Sequence, residues 1–178
     1  KSNCLPDTKL ADFDALGGAY SKINGGILLA VGVPTHKSEI IGKLSQLDSS
    51  IFGKILLIKN ESISNNDNRD IEYNIFSLGH RNPQGLVVKN NTIFSLEHGP
   101  QGGDELNIIV EGKNYGWPIA SYGTRYYDGK SYFRSHSYNN FQEPLFVFLP
   151  AVAPSSLNTC PKNLEEYYKG NNCLMGLS

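Results

Sequence analysis

"QGLVVKNNTIFSLEHG", residues 84–99, sets two short runs rich in Val, Leu, Ile and Phe on either side of an Asn-Asn pair. β-branched and aromatic side chains suit a pleated, half-buried surface. Asn tolerates the positive φ that a tight hairpin turn demands. The stretch therefore reads as strand, turn, antiparallel strand. Upstream, "LGGAYSKINGGILLAVG" (16–32) has the same plan with Asn-Gly at the turn, and "SSLNTCPKNLEEYYKGNNCLMGLS" (155–178) repeats it with a longer connection.

A further strand follows each of the first two copies, "GKILLIKN" (53–60) and "DELNIIVEG" (104–112), and "YNIFSLG" (73–79) reads as another. The copies begin near Gly17, Gly85 and Ser155, about 70 residues apart, so long loops must be inserted into units that ordinarily take roughly 40–50. Repeated antiparallel sheets of about four strands are the pattern of propeller blades. The expected fold is all-β, a single partial β-propeller domain over residues 1–178 with two to three blades. One helix is expected, in "SEIIGKLSQL" (38–47). Two and a fraction blades cannot close a ring and would leave open sheet edges. Either the rest of a propeller in a longer chain covers those edges or another copy does; the first is expected.

Of the 178 residues 39% are hydrophobic and 19% charged, with a formal net charge of −1, which suits one domain with a real core. No Lys/Arg run marks a nucleic-acid partner. The longest apolar stretch, "GGILLAVGV" (25–33), is too short for a membrane span. The first residue is Lys1 and no leader precedes the folded-looking region, so a processed product or an excised piece is expected. Cys160 and Cys173 bracket "PKNLEEYYKGNN" in strand-like surroundings. A disulfide between neighbouring strands, which implies an oxidising compartment, and two buried free thiols both fit. "NES" (60–62) and "NNT" (90–92) fit the glycosylation pattern, which Asn-rich loops produce readily.

Three stretches crowd polar and turn residues directly after strands. In "GHRNPQGL" (79–86), Arg81 offers a planar fork of donors, Asn82 and Gln84 each add a donor and an acceptor, and Pro83 stiffens the loop. On composition alone this is a surface turn. In "SLEHGPQGGDELNII" (95–109), Gly99 and Pro100 are suitable carbonyl ligands for a hard cation, with Asp104 and Glu105 as carboxylates. As sequence neighbours in a strand, the two acids point to opposite faces. A solvated acidic loop is the competing reading. In "GKNYGWPIASYG" (112–123), Tyr115, Trp117 and Tyr122 fit a stacking platform or aromatic packing between blades.

Together and in this order, "GHRNPQGL … EHGPQGGDELNII … GKNYGWPIASYG" resembles the glucose/sorbosone dehydrogenase family, soluble pyrroloquinoline quinone (PQQ)-dependent aldose sugar dehydrogenases on a six-bladed β-propeller. The likeness is dense over 79–123, looser through "EPLFVFLPAVAPSSL" (143–157) and fainter upstream. It implies that Arg81 and Asn82, with Gln84 in the same loop, hold the quinone. It implies that the Gly99 and Pro100 carbonyls bind the catalytic calcium, and that Asp104, Glu105 and Tyr115 serve calcium sites. The implied reaction removes a hydride from C1 of an aldose while a histidine takes the hydroxyl proton. A small sugar is the implied partner, and the implied location is periplasmic or secreted.

The chain departs from that pattern at two places. "ALGG" (15–18) puts Ala15 where the family's general base stands, and "VGV" (31–33) puts Val33 in the place of an acid. Alanine takes no proton. Of His36, His80, His98 and His136, His98 lies nearest the supposed calcium loop but matches a non-catalytic family position. Two functions are therefore expected to compete: part of a PQQ- and calcium-dependent dehydrogenase, inactive alone, and an inert propeller relative that binds calcium, carbohydrate or protein.

Overall fold

A computed structural model of the chain describes residues 16–34, 39–64, 71–132, 136–168 and 173–178. Among these described residues, ten strands fall into three antiparallel sheets. The first is the meander β1 (Gly18–Ile23), β2 (Gly26–Val31), β3 (Lys54–Lys59) and β4 (Asn74–Leu78). The second repeats it with β5 (Pro83–Lys89), β6 (Thr92–Glu97), β7 (Asp104–Ile109) and β8 (Phe146–Phe148). The third pairs β9 (Ser156–Thr159) with β10 (Leu174–Leu177). These are two complete blades and two strands of a third, so the structure is a partial β-propeller.

The opening hairpin forms as its turn residues dictate: Asn90 and Asn91 adopt φ of 49° and 61°, the pair of positive angles that matches the twist of the flanking strands. The first strands of the three sheets lie side by side, β1 against β5 and β5 against β9. Gly85 permits the second approach, since a Cβ there would sit 2.4 Å from that of Leu157.

Alternation along the strands makes both inter-blade cores. Leu28, Ala30 and Ile55 of the first blade bury against Leu86, Ile109 and Tyr115 of the second. Phe94 and Leu96, on the opposite face of β6 from Ile93, pack against Leu157 of the third. The 39–47 region folds as expected into a short helix α1 (Glu39–Gly42), continued by a 3-10 turn over Lys43–Gln46. Its anchor is Lys54, a buried lysine whose Nζ donates to the carbonyls of Leu44, Ser45 and Phe52 at 2.8–3.0 Å.

Three elements go beyond the sequence reading. Helix α2 (Asn60–Ser64) follows β3 directly. β8 is only three residues long and lies between prolines. Helix α3 (Lys162–Tyr168) fills the long connection of the third hairpin. There Cys160 and Cys173 form a disulfide, with Cα atoms 5.4 Å apart. Lys89 of β5 forms an ion pair with Glu165 of α3 and donates to the Cys173 carbonyl at 3.2 Å, tying this connection to the second blade.

Candidate functional site

The loop between β4 and β5 is fixed by backbone bonds from several directions. Gly79 N–H donates to Ser45 O, His80 N–H to Gly53 O, Val33 N–H to Arg81 O, His98 N–H to Asn82 O, and Trp117 N–H to Gly79 O. Gly79 has φ of 79°, and a Cβ there would meet Asn114 Oδ1 at 2.1 Å, so glycine is required. The result is a buried Arg81 side chain. Its Nη1 donates to His98 O at 3.1 Å, its Cζ lies 5.3 Å from the Trp117 ring centroid, and its Nε has no hydrogen-bond partner. Trp117 Nε1 is likewise buried without a partner.

Register supplies the second half of the site. Glu97 on β6 stands directly opposite Glu105 on β7, and Ser95 opposite Asn107. All four are buried. Opposed like charges on neighbouring strands repel. Burial, then the charge of Glu97, pushes the Glu105 carboxyl up to about 8. Burial alone would raise Glu97 too, but His80, the Arg81 amide and Asn107 together hold it below the usual carboxylate range. Asn107 Nδ2 donates to Glu97 Oε1 at 2.9 Å and to Glu105 Oε2 at 3.3 Å, while its Oδ1 is buried with no donor. This cluster of oxygens has an excess of acceptors over donors, which is what a hard cation requires. Among the described residues no three His, Cys, Asp or Glu side chains converge, so carbonyl and amide oxygens would have to complete such a site.

A small pocket opens between these halves. Of the residues expected at a site, Arg81, Gly99, Glu105 and Tyr115 line it, with Glu97, His98 and Trp117 beside them. The others are turned to backbone or lie outside it. Asn82 Oδ1 accepts the Gly17 N–H at 2.6 Å and a longer bond, 3.4 Å, from Gln84 Nε2. Asp104 spends Oδ1 on Gly99 N–H (2.9 Å) and Oδ2 on the N–H groups of Val152 and Ala153 (both 2.8 Å). Pro100 is buried next to Gly99. The Tyr115 hydroxyl donates to Ile108 O and accepts from Val110 N–H, and its ring stacks on His80. Tyr115 can thus reach the site only through its ring face or its carbonyl.

Glu97 lines the pocket although the motif reading gave it no role, and His80, weighed only as a stand-in for the base, is bonded to it. The signal was present in the period of two: Ser95 and Glu97 share one face of β6, Glu105 and Asn107 the matching face of β7. Val33 is buried in the apolar cluster with Ile41 and Phe52 and brings no acid. Ala15 and His36 lie outside the described residues.

Two four-stranded antiparallel meanders and part of a third, their first strands side by side, place the chain among the propeller proteins. The chain belongs to the glucose/sorbosone dehydrogenase family, whose model matches residues 22–178. It is 54% identical over 54 residues to aldose sugar dehydrogenase YliI of Escherichia coli, covering 29% of this chain and 15% of that protein. It is 43% identical over 76 residues to quinoprotein glucose dehydrogenase B of Acinetobacter calcoaceticus, covering 40% and 16%. An uncharacterized Synechocystis protein is 36% identical over 128 residues, 68% of this chain and 31% of its own. The soluble aldose sugar dehydrogenase of Escherichia coli in its apo-form superposes with a TM-score of 0.66 at 27% identity, over 85% of this chain and 45% of that one. The PQQ-bound aldose sugar dehydrogenase of Streptomyces coelicolor gives 0.53 at 30% identity, over 74% and 35%. The chain therefore spans less than half the length of these relatives. Among the described residues no helix is long and apolar enough to cross a membrane.

Proposed function

We propose that this chain is a partial propeller from a PQQ- and calcium-dependent aldose sugar dehydrogenase, oxidising the C1 hydroxyl of a small sugar and not active alone. The observation that carries this is the buried Arg81 guanidinium, Nε unpartnered, lining one pocket with Gly99, Glu105, Tyr115 and Trp117. The donors and acceptors present fit both groups. Arg81 presents a charge-assisted donor to a carboxylate or quinone oxygen, and the Trp117 ring lies against the guanidinium, 5.3 Å from Cζ to ring centroid. Asn82 and Gln84 shape the same loop. The Gly99 and Pro100 carbonyls, with Glu105 and Tyr115, are the residues assigned to calcium, and Asp104 sets the path of their loop. A quinone held there would supply the acceptor for the C1 hydride, and calcium would supply Lewis-acid polarisation. The remaining propeller, in the same chain or a second copy, supplies the further walls. The Cys160–Cys173 disulfide supports a periplasmic or secreted location.

The second reading, an inert relative that keeps the cradle as a binding module, is favoured by Ala15, which takes no proton, and by Val33, whose buried side chain offers no carboxylate. Titration of the full-length parent with PQQ and calcium, followed by absorbance and melting temperature, separates the two when glucose and a dye acceptor are then added. Absence of quinone binding together with a melting temperature indifferent to calcium refutes the dehydrogenase reading. Binding without turnover points to the inert relative, for which Ala15→His is the rescue to attempt.

A further inference from the structure

One buried group next to Arg81 has no part in the chemistry above. His80 is fully enclosed: its Nδ1–H donates to Glu97 Oε1 at 3.0 Å, its Nε2 is hydrogen-bonded to Ser77 Oγ at 2.9 Å, and its ring lies 4.5 Å from that of Tyr115, stacked at 24°. The order serine, histidine, carboxylate is that of a nucleophilic triad. Here Ser77 is fully buried and neither it nor His80 lines the pocket, so no substrate reaches the hydroxyl. The geometry serves a different end. Glu97 holds the His80 ring with Oε1 and the Arg81 backbone N–H with Oε2, the latter at 2.9 Å. One carboxylate thereby fixes two consecutive residues, and with them the direction in which the Arg81 side chain leaves the backbone.

We propose that His80 is a positioning residue, which through its bond to Glu97 and its stack on Tyr115 sets Arg81 over the Trp117 ring and against the His98 carbonyl. Side chain and backbone act together here. A carboxylate that loses the imidazole keeps only Asn107 on Oε1 and loses the bond that aligns it from the His80 side, so its second oxygen holds the Arg81 amide less firmly. The consequence for ligand capture rests on the quinone reading given above; the positioning itself does not.

Trp117 is the chain's only tryptophan, so its emission reports Arg81 directly and without any ligand. Arg81→Ala supplies the reference spectrum for an uncovered ring. His80→Gln places its amide at the Ser77 end and abandons Glu97, whereas His80→Asn keeps a donor where Nδ1 stands. The expected result is that His80→Gln emits and is quenched by acrylamide like Arg81→Ala, and that His80→Asn resembles the wild type. Should His80→Gln fail to fold, Glu97→Gln, which removes the charge and leaves one neutral acceptor oxygen for the donors of His80, Asn107 and Arg81, is expected to show the same change. A folded His80→Gln or Glu97→Gln with wild-type Trp117 emission and quenching overturns the proposal. In PQQ titrations, His80→Gln is expected to weaken binding about tenfold, the loss of one charge-assisted contact, with His80→Asn close to wild type. If the wild type captures no quinone, the dehydrogenase reading falls while the spectra still decide the role of His80.

Discussion

Asp104→Ala tests whether this acid is a cation ligand or the clasp of two loops. Its carboxylate, 1% exposed, accepts three backbone N–H groups at 2.8–2.9 Å, from Gly99 on one side and from Val152 and Ala153 on the other. Each bond to a charged acceptor contributes roughly 1.5–3 kcal/mol, and a buried donor left without a partner costs about 1–3 kcal/mol. Val152 and Ala153 are exposed, so water replaces much of what they lose, whereas the N–H of buried Gly99 has no such recourse. The net loss is therefore about 3 kcal/mol, which in a chain of this size is a drop in melting temperature of roughly 6–12 °C. Asp104→Asn keeps one acceptor oxygen and should lose about half as much. Thermal unfolding is to be followed in chelator and in calcium, with amide exchange at Gly99, Val152 and Ala153 alongside. A clasp gives the same drop in both buffers and faster exchange at all three amides. A variant that melts with the wild type in chelator, and differs only when calcium is added, would refute the argument.

Three further outcomes follow from the same contacts. With calcium chelated, Glu105 is protonated up to about pH 8 in the fold against 4.5 when unfolded. Its raised value thus contributes stability that is complete below pH 4.5 and is lost as pH rises through about 8, so Glu105→Gln should flatten that decline in melts taken between pH 5 and 9. Reducing Cys160–Cys173, which closes a connection of sequence separation 13, should cost roughly 3 kcal/mol in the chain-entropy account and expose α3 to protease; unchanged urea unfolding under dithiothreitol would contradict it. Lys54→Met strips a buried ammonium from three carbonyls, of which Leu44 O and Ser45 O keep a backbone donor, and should lower stability by about 2–4 kcal/mol in urea denaturation.

The strands were legible because the periods that specify them are local. Alternating Val, Ile, Leu and Phe between Asn and Gly turns marked nine of the ten, and Asn90–Asn91 named the turn that forms. β8 escaped because three residues between prolines carry no period, and α3 because it lies inside a connection between paired strands. At the site, Arg81, Gly99, Glu105 and Tyr115 were read from motif order and do share a pocket. Asn82 and Asp104 were read from the same motifs, yet their oxygens face Gly17, Val152 and Ala153, backbone that arrives from 65, 48 and 49 positions away. No local pattern announces which amide will reach a carboxylate across such a distance.

What the sequence determined alone was the family and the all-β blade plan, since motif order and a period of two need no partner to be read. Tertiary structure decided the rest. It set Glu97 opposite Glu105, gave Glu97 to His80 and Arg81, and directed Asp104 to two loops. Charge and hydrogen-bonding capacity belong to the residue, but what they are spent on depends on which groups packing brings within 3 Å.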